Sequence, residues 1–83
     1  MAEPQFVLYS RQLCHLCDDA KAVLHRFGLK YREIDIDRDV DSQRLVQQFG
    51  ECVPVLEIDG IPRFRGRINE LLLRRIIHQR GGG

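Results

Sequence analysis

The sequence is most informative first in what it lacks. No apolar run approaches the roughly 20 residues that cross a bilayer, the uncharged apolar runs being only a few residues long, so no membrane partner is expected. Residues 1–4 hold neither the basic patch nor the apolar block of a secretion signal, and a cytoplasmic setting is expected. An even set of cysteines is missing as well: there are three, two of them close together at Cys14 and Cys17, which is not the framework that staples small secreted domains. Net charge is nearly absent, with 13 Lys and Arg against 12 Asp and Glu and a formal charge of +1, which argues against a whole-chain polyanion binder and so against nucleic acid. Repeats, linkers and low-complexity tracts are missing apart from three terminal glycines.

What is there fits one soluble globular domain. At 83 residues, 43% hydrophobic and 30% charged, the chain has room for a single modest core and no separate substrate domain. The expectation is one domain over residues 1–83, monomeric, with 80–83 as a flexible tail. That tail, Gln79-Arg80-Gly81-Gly82-Gly83, resembles the end of ubiquitin-like modifiers, but those begin with a β-hairpin. Charge is uneven: Glu33, Asp35, Asp37, Asp39 and Asp41 cluster mid-chain, while Arg63, Arg65, Arg67, Arg74, Arg75 and Arg80 make the last third basic. Solvated faces explain both blocks; the sharper reading is a basic rim for an acidic partner such as the glutathione carboxylates.

Apolar periodicity orders the elements. Residues 5–10, Q-F-V-L-Y-S, form a short apolar run of the kind buried on both faces of a sheet. Leu16, Ala20, Val23, Leu24 and Phe27 recur at helical spacing, and Gly28 stops the helix. Residues 30–37 alternate, Ile34 and Ile36 against Glu33, Asp35 and Asp37, as a half-buried strand does. A second helix fits 41–49, capped by Asp39 or Asp41, with Leu45 and Phe49 on one face and Gly50 closing it. Strands at 53–58 and 61–65 flank Asp59-Gly60, a hairpin turn signal, and Pro62 consigns the last strand to the sheet edge. Ile68, Leu72, Leu73, Ile76 and Ile77 stripe a final helix, with Arg67, Arg74, Arg75 and Arg80 left for solvent. The order is β-α-β-α-β-β-α, an α/β class.

Chemistry concentrates at Cys14-His15-Leu16-Cys17, where the first strand meets the first helix. A thiol there meets unpaired backbone N–H groups and the positive end of the helix dipole, which favour thiolate, so Cys14 reads as the nucleophile. Cys17, one turn on, is close enough to resolve a mixed disulfide on Cys14. Arg11 and a protonated His15 add positive potential; Asp18 and Asp19 oppose it. The spacing alone also fits half of a zinc site, although the further candidates Cys52, His15, His25 and His78 are scattered singly. An iron–sulfur cluster needs thiolates from a second chain or from glutathione. A metal- or cluster-binding scaffold without redox turnover is therefore the alternative to a dithiol exchanger. His25 and His78 read as surface residues, His78 well placed near a helix C-terminus. Cys52 reads either as a small buried hydrophobe at a strand start or as a third thiol facing Cys14.

Y-S-R-x-x-C-x-x-C near the start, V-P-V before a D-G hairpin, and a glycine before the last amphipathic helix together resemble the glutaredoxins of the thioredoxin superfamily. The resemblance spans residues 5–79, and Y-S-R-x-x-C-H-L-C-D is similar to a small bacterial glutaredoxin-like group. It implies a thioredoxin-like fold of glutaredoxin type, a four-stranded mixed sheet flanked by helices. It implies thiol:disulfide exchange through Cys14 and Cys17 with no metal. It implies a cis Val53-Pro54 bond facing the nucleophile, Val53 pairing with the substrate backbone, and Arg11, His15 and Leu16 bordering the substrate. Partners would be protein disulfides or glutathionylated thiols, with glutathione or a thioredoxin-type protein as reductant. Departures bear on glutathione: His15-Leu16 replaces Pro-Tyr, Glu51-Cys52 replaces Arg-Thr, and Arg65-Gly66-Arg67-Ile68-Asn69 replaces G-G-C-x-D. No resident cofactor is expected, and glutathione would be a co-substrate with most of its usual contacts missing.

Overall fold

The computed structural model describes residues 4–81. Its elements are β1 (Phe6–Ser10), α1 (His15–Arg26), β2 (Arg32–Asp35), α2 (Ser42–Phe49), β3 (Val55–Ile58), β4 (Ile61–Arg65) and α3 (Glu70–Gly81), in the order the apolar pattern predicts. One sheet runs β2-β1-β3-β4. β1 is parallel to β2 and antiparallel to β3, and β3 is antiparallel to β4, so the sheet is mixed. Among the described residues no helix is long and apolar enough to cross a membrane.

Local chemistry explains most boundaries. α1 buries Cys17, Ala20, Val23 and Leu24 along one stripe and ends where Gly28, at φ 67°, donates its N–H to the His25 carbonyl (3.0 Å). Asp59 and Gly60 both take positive φ, 53° and 85°, as a two-residue hairpin turn requires. Pro62 lies on β4, the edge strand opposite β2. α3 starts after Asn69, whose Oδ1 accepts the Leu72 N–H (3.1 Å), and Ile68 packs on the core just ahead of the helix.

Several expectations need correction. The strand expected over 30–37 is only Arg32–Asp35, because its ladder partner β1 ends at Ser10; the Ile36 N–H to the Ser10 carbonyl (2.9 Å) is the last rung. β3 starts at Val55 rather than 53, since Pro54 has no N–H to give to a ladder. Asp41 is the N-cap of α2 but makes no side-chain capping bond, and Asp39 Oδ2 instead accepts the Asp41 N–H (3.0 Å). β1 is not buried on both faces: Phe6, Leu8 and Ser10 are sealed, whereas Val7 and Tyr9 are half-buried. Leu72, expected in the core stripe of α3, is 47% exposed, because the sheet accepts only the narrower set Leu73, Ile76 and Ile77. The tail expected from residue 80 is helical backbone as far as Gly81, and for Gly82 and Gly83 that expectation lies outside the described residues.

Two unequal cores result. On one face α1 and α3 enclose Phe6, Leu8, Ala20, Val23, Leu24, Leu56, Ile58, Phe64 and Leu73. On the other, α2 alone covers Ile36, Leu45, Phe49 and Val55, with Tyr9 tilted against Phe49 at 4.8 Å between ring centroids.

Candidate active site

Cys14 stands between β1 and α1 as the N-cap of the helix, with extended backbone (φ −120°, ψ 105°). Its Sγ accepts the backbone N–H of Cys17 at 3.1 Å, and its carbonyl accepts the N–H of Asp18 at 3.1 Å. A helix leaves its first N–H groups without intrahelical partners, so the sulfur takes the place of the usual Ser or Asp cap oxygen. A negative charge on that sulfur would meet both the N–H and the helix dipole. Cys14 and Cys17 are bonded as a disulfide, with Cα atoms 5.2 Å apart. Cys14 is half-exposed and Cys17 is only 1% exposed, so an external reagent reaches the first sulfur and not the second.

The residue before this cap is unusual. Leu13 has φ 56°, a left-handed conformation that costs an L-residue with a bulky side chain about 1–2 kcal/mol, and it is fully exposed. Nothing in the local sequence signals it. His15, the first residue of α1, is exposed, and Leu16 is 37% exposed rather than in the core with the rest of its stripe.

Register brings the second half of the site to the same end of the sheet. Tyr9 pairs with Val55 at the end of the antiparallel ladder, so Val53 and Pro54 lie at the end of the sheet where β1 leads into the cysteine pair. The Val53-Pro54 peptide bond is cis. Pro54 is buried and its carbonyl accepts the Gly66 N–H at 2.7 Å, so the exposed Arg65 and Arg67 flank this segment. Among the described residues neither the N–H nor the carbonyl of Val53 is bonded to another backbone group outside the regular elements. Cys52 is half-buried in the α2 core, its Sγ 4.0 Å from the Gln48 carbonyl oxygen, and is not in a disulfide.

Arg11 is where the structure departs most from a substrate-facing cation. Its Nε and Nη2 bond the two carboxylate oxygens of Asp37 at 2.9 and 2.7 Å, and Nη1 bonds the Gly50 carbonyl at 3.1 Å. These hydrogen bonds hold the Asp37 carboxyl below, and the Arg11 guanidinium above, their ordinary values. Gly50 fits because a Cβ there would stand 2.5 Å from the Val46 carbonyl oxygen and 3.4 Å from Arg11 Nη1. Behind the site, the buried Ser10 hydroxyl donates to Glu33 Oε2 at 2.7 Å, and Lys21 Nζ reaches the same oxygen at 3.0 Å. Burial pushes the Glu33 carboxyl up, but the bonds from Ser10 and Lys21 outweigh it and leave the carboxyl below its usual range, while Glu33 raises Lys21. Sequence reading missed Asp37, Gly50 and the Ser10–Glu33–Lys21 chain, because their partners are distant along the chain.

Among the described residues no group of three or more His, Cys, Asp or Glu side chains is gathered around one point. A groove of about 240 Å³ runs from Leu16 between α1 and the start of α3, over Ala20, Val23 and Ile68, with Asp19 and Arg67 on its rims.

A four-stranded mixed sheet with a helix-capping cysteine pair and three helices places the chain in the thioredoxin-like fold. More narrowly, it belongs to the family described as Glutaredoxin-like domain (DUF836), whose profile matches residues 5–78. It is 30% identical to target protein XcR50 from X. campestris, with a TM-score of 0.71 over 89% of this chain and 96% of that one. It is similar in fold to a buckwheat glutaredoxin solved in complex with glutathione (20% identity, TM-score 0.65, 95% of this chain and 74% of that one). Fasciola hepatica thioredoxin is a further fold neighbour (19% identity, TM-score 0.58, 94% and 81%). Comparison with curated proteins gives no match.

Proposed function

We propose that the protein is a thiol:disulfide oxidoreductase using Cys14 as nucleophile and Cys17 as resolving thiol. The observation that carries this reading is the pairing of a half-exposed Cys14 Sγ on the helix N-terminus with a sealed Cys17 one turn behind it. In the reduced protein the Cys14 thiolate attacks one sulfur of a substrate disulfide; a Cys14–substrate bond forms and the other substrate sulfur leaves as thiolate. The Cys17 thiol then gives up its proton and attacks Cys14 Sγ, expelling the second substrate thiolate and closing the Cys14–Cys17 disulfide. The substrate gains two electrons, which an external thiol reductant returns to the protein. Val53 supports the geometry with free backbone groups beside Pro54, and His15 and Leu16 border the approach to Cys14.

Substrates of this reading are protein disulfides or glutathionylated protein thiols, in a cytoplasmic setting, with glutathione or a thioredoxin-type dithiol as reductant. The glutathione bound by the buckwheat neighbour supports the first reductant. The exposed Arg65 and Arg67 beside Pro54 supply a basic rim for its carboxylates. The Cys17→Ser variant tests the mechanism: with a protein disulfide it accumulates a mixed disulfide on Cys14, seen by mass spectrometry, while the native protein releases reduced substrate. Absence of an adduct on Cys14 contradicts the reading.

A further inference from the structure

The two halves of the site hang from different parts of the fold. Cys14 is carried by the N-terminus of α1, whereas Val53 and Pro54 follow α2, and Val53 packs on its smaller core. Cys52, at the start of that approach, bonds back to the last turn of α2 through its N–H to the Phe49 carbonyl (2.9 Å). The β1–β3 ladder stops at Tyr9 and Val55 and does not hold the 50–54 segment against the Cys14 loop.

Arg11 does. It lies three residues before Cys14, is pinned in orientation by two bonds to Asp37 from the β2–α2 connection, and grips the Gly50 carbonyl at the end of α2. A forked guanidinium is the one side chain able to hold a carboxylate on two of its nitrogens and a carbonyl on the third, and a lysine ammonium cannot reproduce that geometry. The same engagement pairs the arginine's charge with Asp37 at the surface, so that carboxylate rather than a ligand takes up two of its nitrogens.

We propose that Arg11, locked by Asp37, is a positioning residue that sets the distance and angle between the Cys14 sulfur and the Val53 backbone. This inference rests on the oxidoreductase reading above and concerns which substrates that site serves. A small disulfide needs only Cys14. A polypeptide disulfide also needs the Val53 peptide groups in register, so it alone depends on the clamp.

The test compares the reduced protein's rate with hydroxyethyl disulfide and with a synthetic peptide carrying an intramolecular disulfide. In Arg11→Ala the peptide-to-small-disulfide rate ratio should fall about tenfold, since misplacement of about 1 Å is enough to cost that much. Asp37→Asn should lower the ratio in the same direction, and the double variant should be no worse than Arg11→Ala, because the two residues act as one unit. Arg11→Lys, which keeps the charge with less disturbance, should sit with the alanine variant rather than with the native protein. An unchanged ratio in both Arg11→Lys and Asp37→Asn overturns the proposal, as does an Asp37→Asn variant that gains rate through a freed Arg11. If native Cys14 exchanges with neither disulfide, the oxidoreductase reading itself fails, and that outcome is distinct from equal, clamp-independent rates.

Discussion

The two faces of the sheet are built on different scales. Nine buried side chains from β1, β3, β4, α1 and α3 fill one face, and four fill the other beneath the eight residues of α2. Cys14, the proposed nucleophile, belongs to the thick face through α1, and Cys52 and Val53 to the thin one. The proposed active site is therefore assembled across an unequal pair, and damage to each face should read out differently.

Leu24, with no exposed surface on the thick face, is among the costly residues to truncate. Leu24→Ala should lose about 4–5 kcal/mol, the upper part of the range for buried leucines, because the sheet and two helices leave little room for collapse. The check is the midpoint of urea unfolding. Leu45→Ala on the thin face should lose less, about 2–3 kcal/mol, because a single short helix settles more easily over the gap. Its second effect should be on chemistry: Cys52 and Val53 share that core, so exchange with a peptide disulfide should drop while the alkylation rate of Cys14 holds. Equal losses on both faces would dissolve the contrast.

Glu33→Ala probes the polar chain between β1, β2 and α1. It leaves the buried Ser10 hydroxyl without its acceptor, a loss of about 1–2 kcal/mol. The pH dependence has a definite sign. Glu33 and Asp37 both have folded pKa values below their ordinary ones, so the unfolded chain binds more protons as pH falls through the carboxylate range. Their stabilisation is present above the ordinary carboxylate values, about pH 4–4.5, begins to fall as the unfolded carboxyls protonate there, and is lost as pH falls through the lowered values. Urea midpoints measured from neutral pH downward should fall more steeply for the native protein than for Glu33→Ala. At the bottom of the scale, Leu72→Ala should shift stability by less than about 0.5 kcal/mol, because the side chain is 47% exposed.

The same contrast explains what could be read from the amino acids. The α1 stripe, the Asp59-Gly60 turn and the cysteine pair are local, each specified by residues within a few positions of one another. The Arg11 clamp is not: Asp37 is 26 residues away and Gly50 is 39, and each of the three has an ordinary local explanation as surface charge or helix stop. Leu72 misled because hydrophobic periodicity shows which residues are apolar and not how wide a strip the neighbouring sheet will accept. Leu13 could not be foreseen, since leucine carries no preference for the left-handed conformation it adopts.

The oxidoreductase reading stands on the N-terminus of α1 making Cys14 the reactive sulfur. Its most direct test is the rate of iodoacetamide modification of each cysteine in the reduced protein as a function of pH. Cys14 should be labelled first, at a rate that titrates below the ordinary thiol value of about 8.5. Titration of Cys14 at or above that value, or earlier labelling of Cys17 or Cys52, would contradict it.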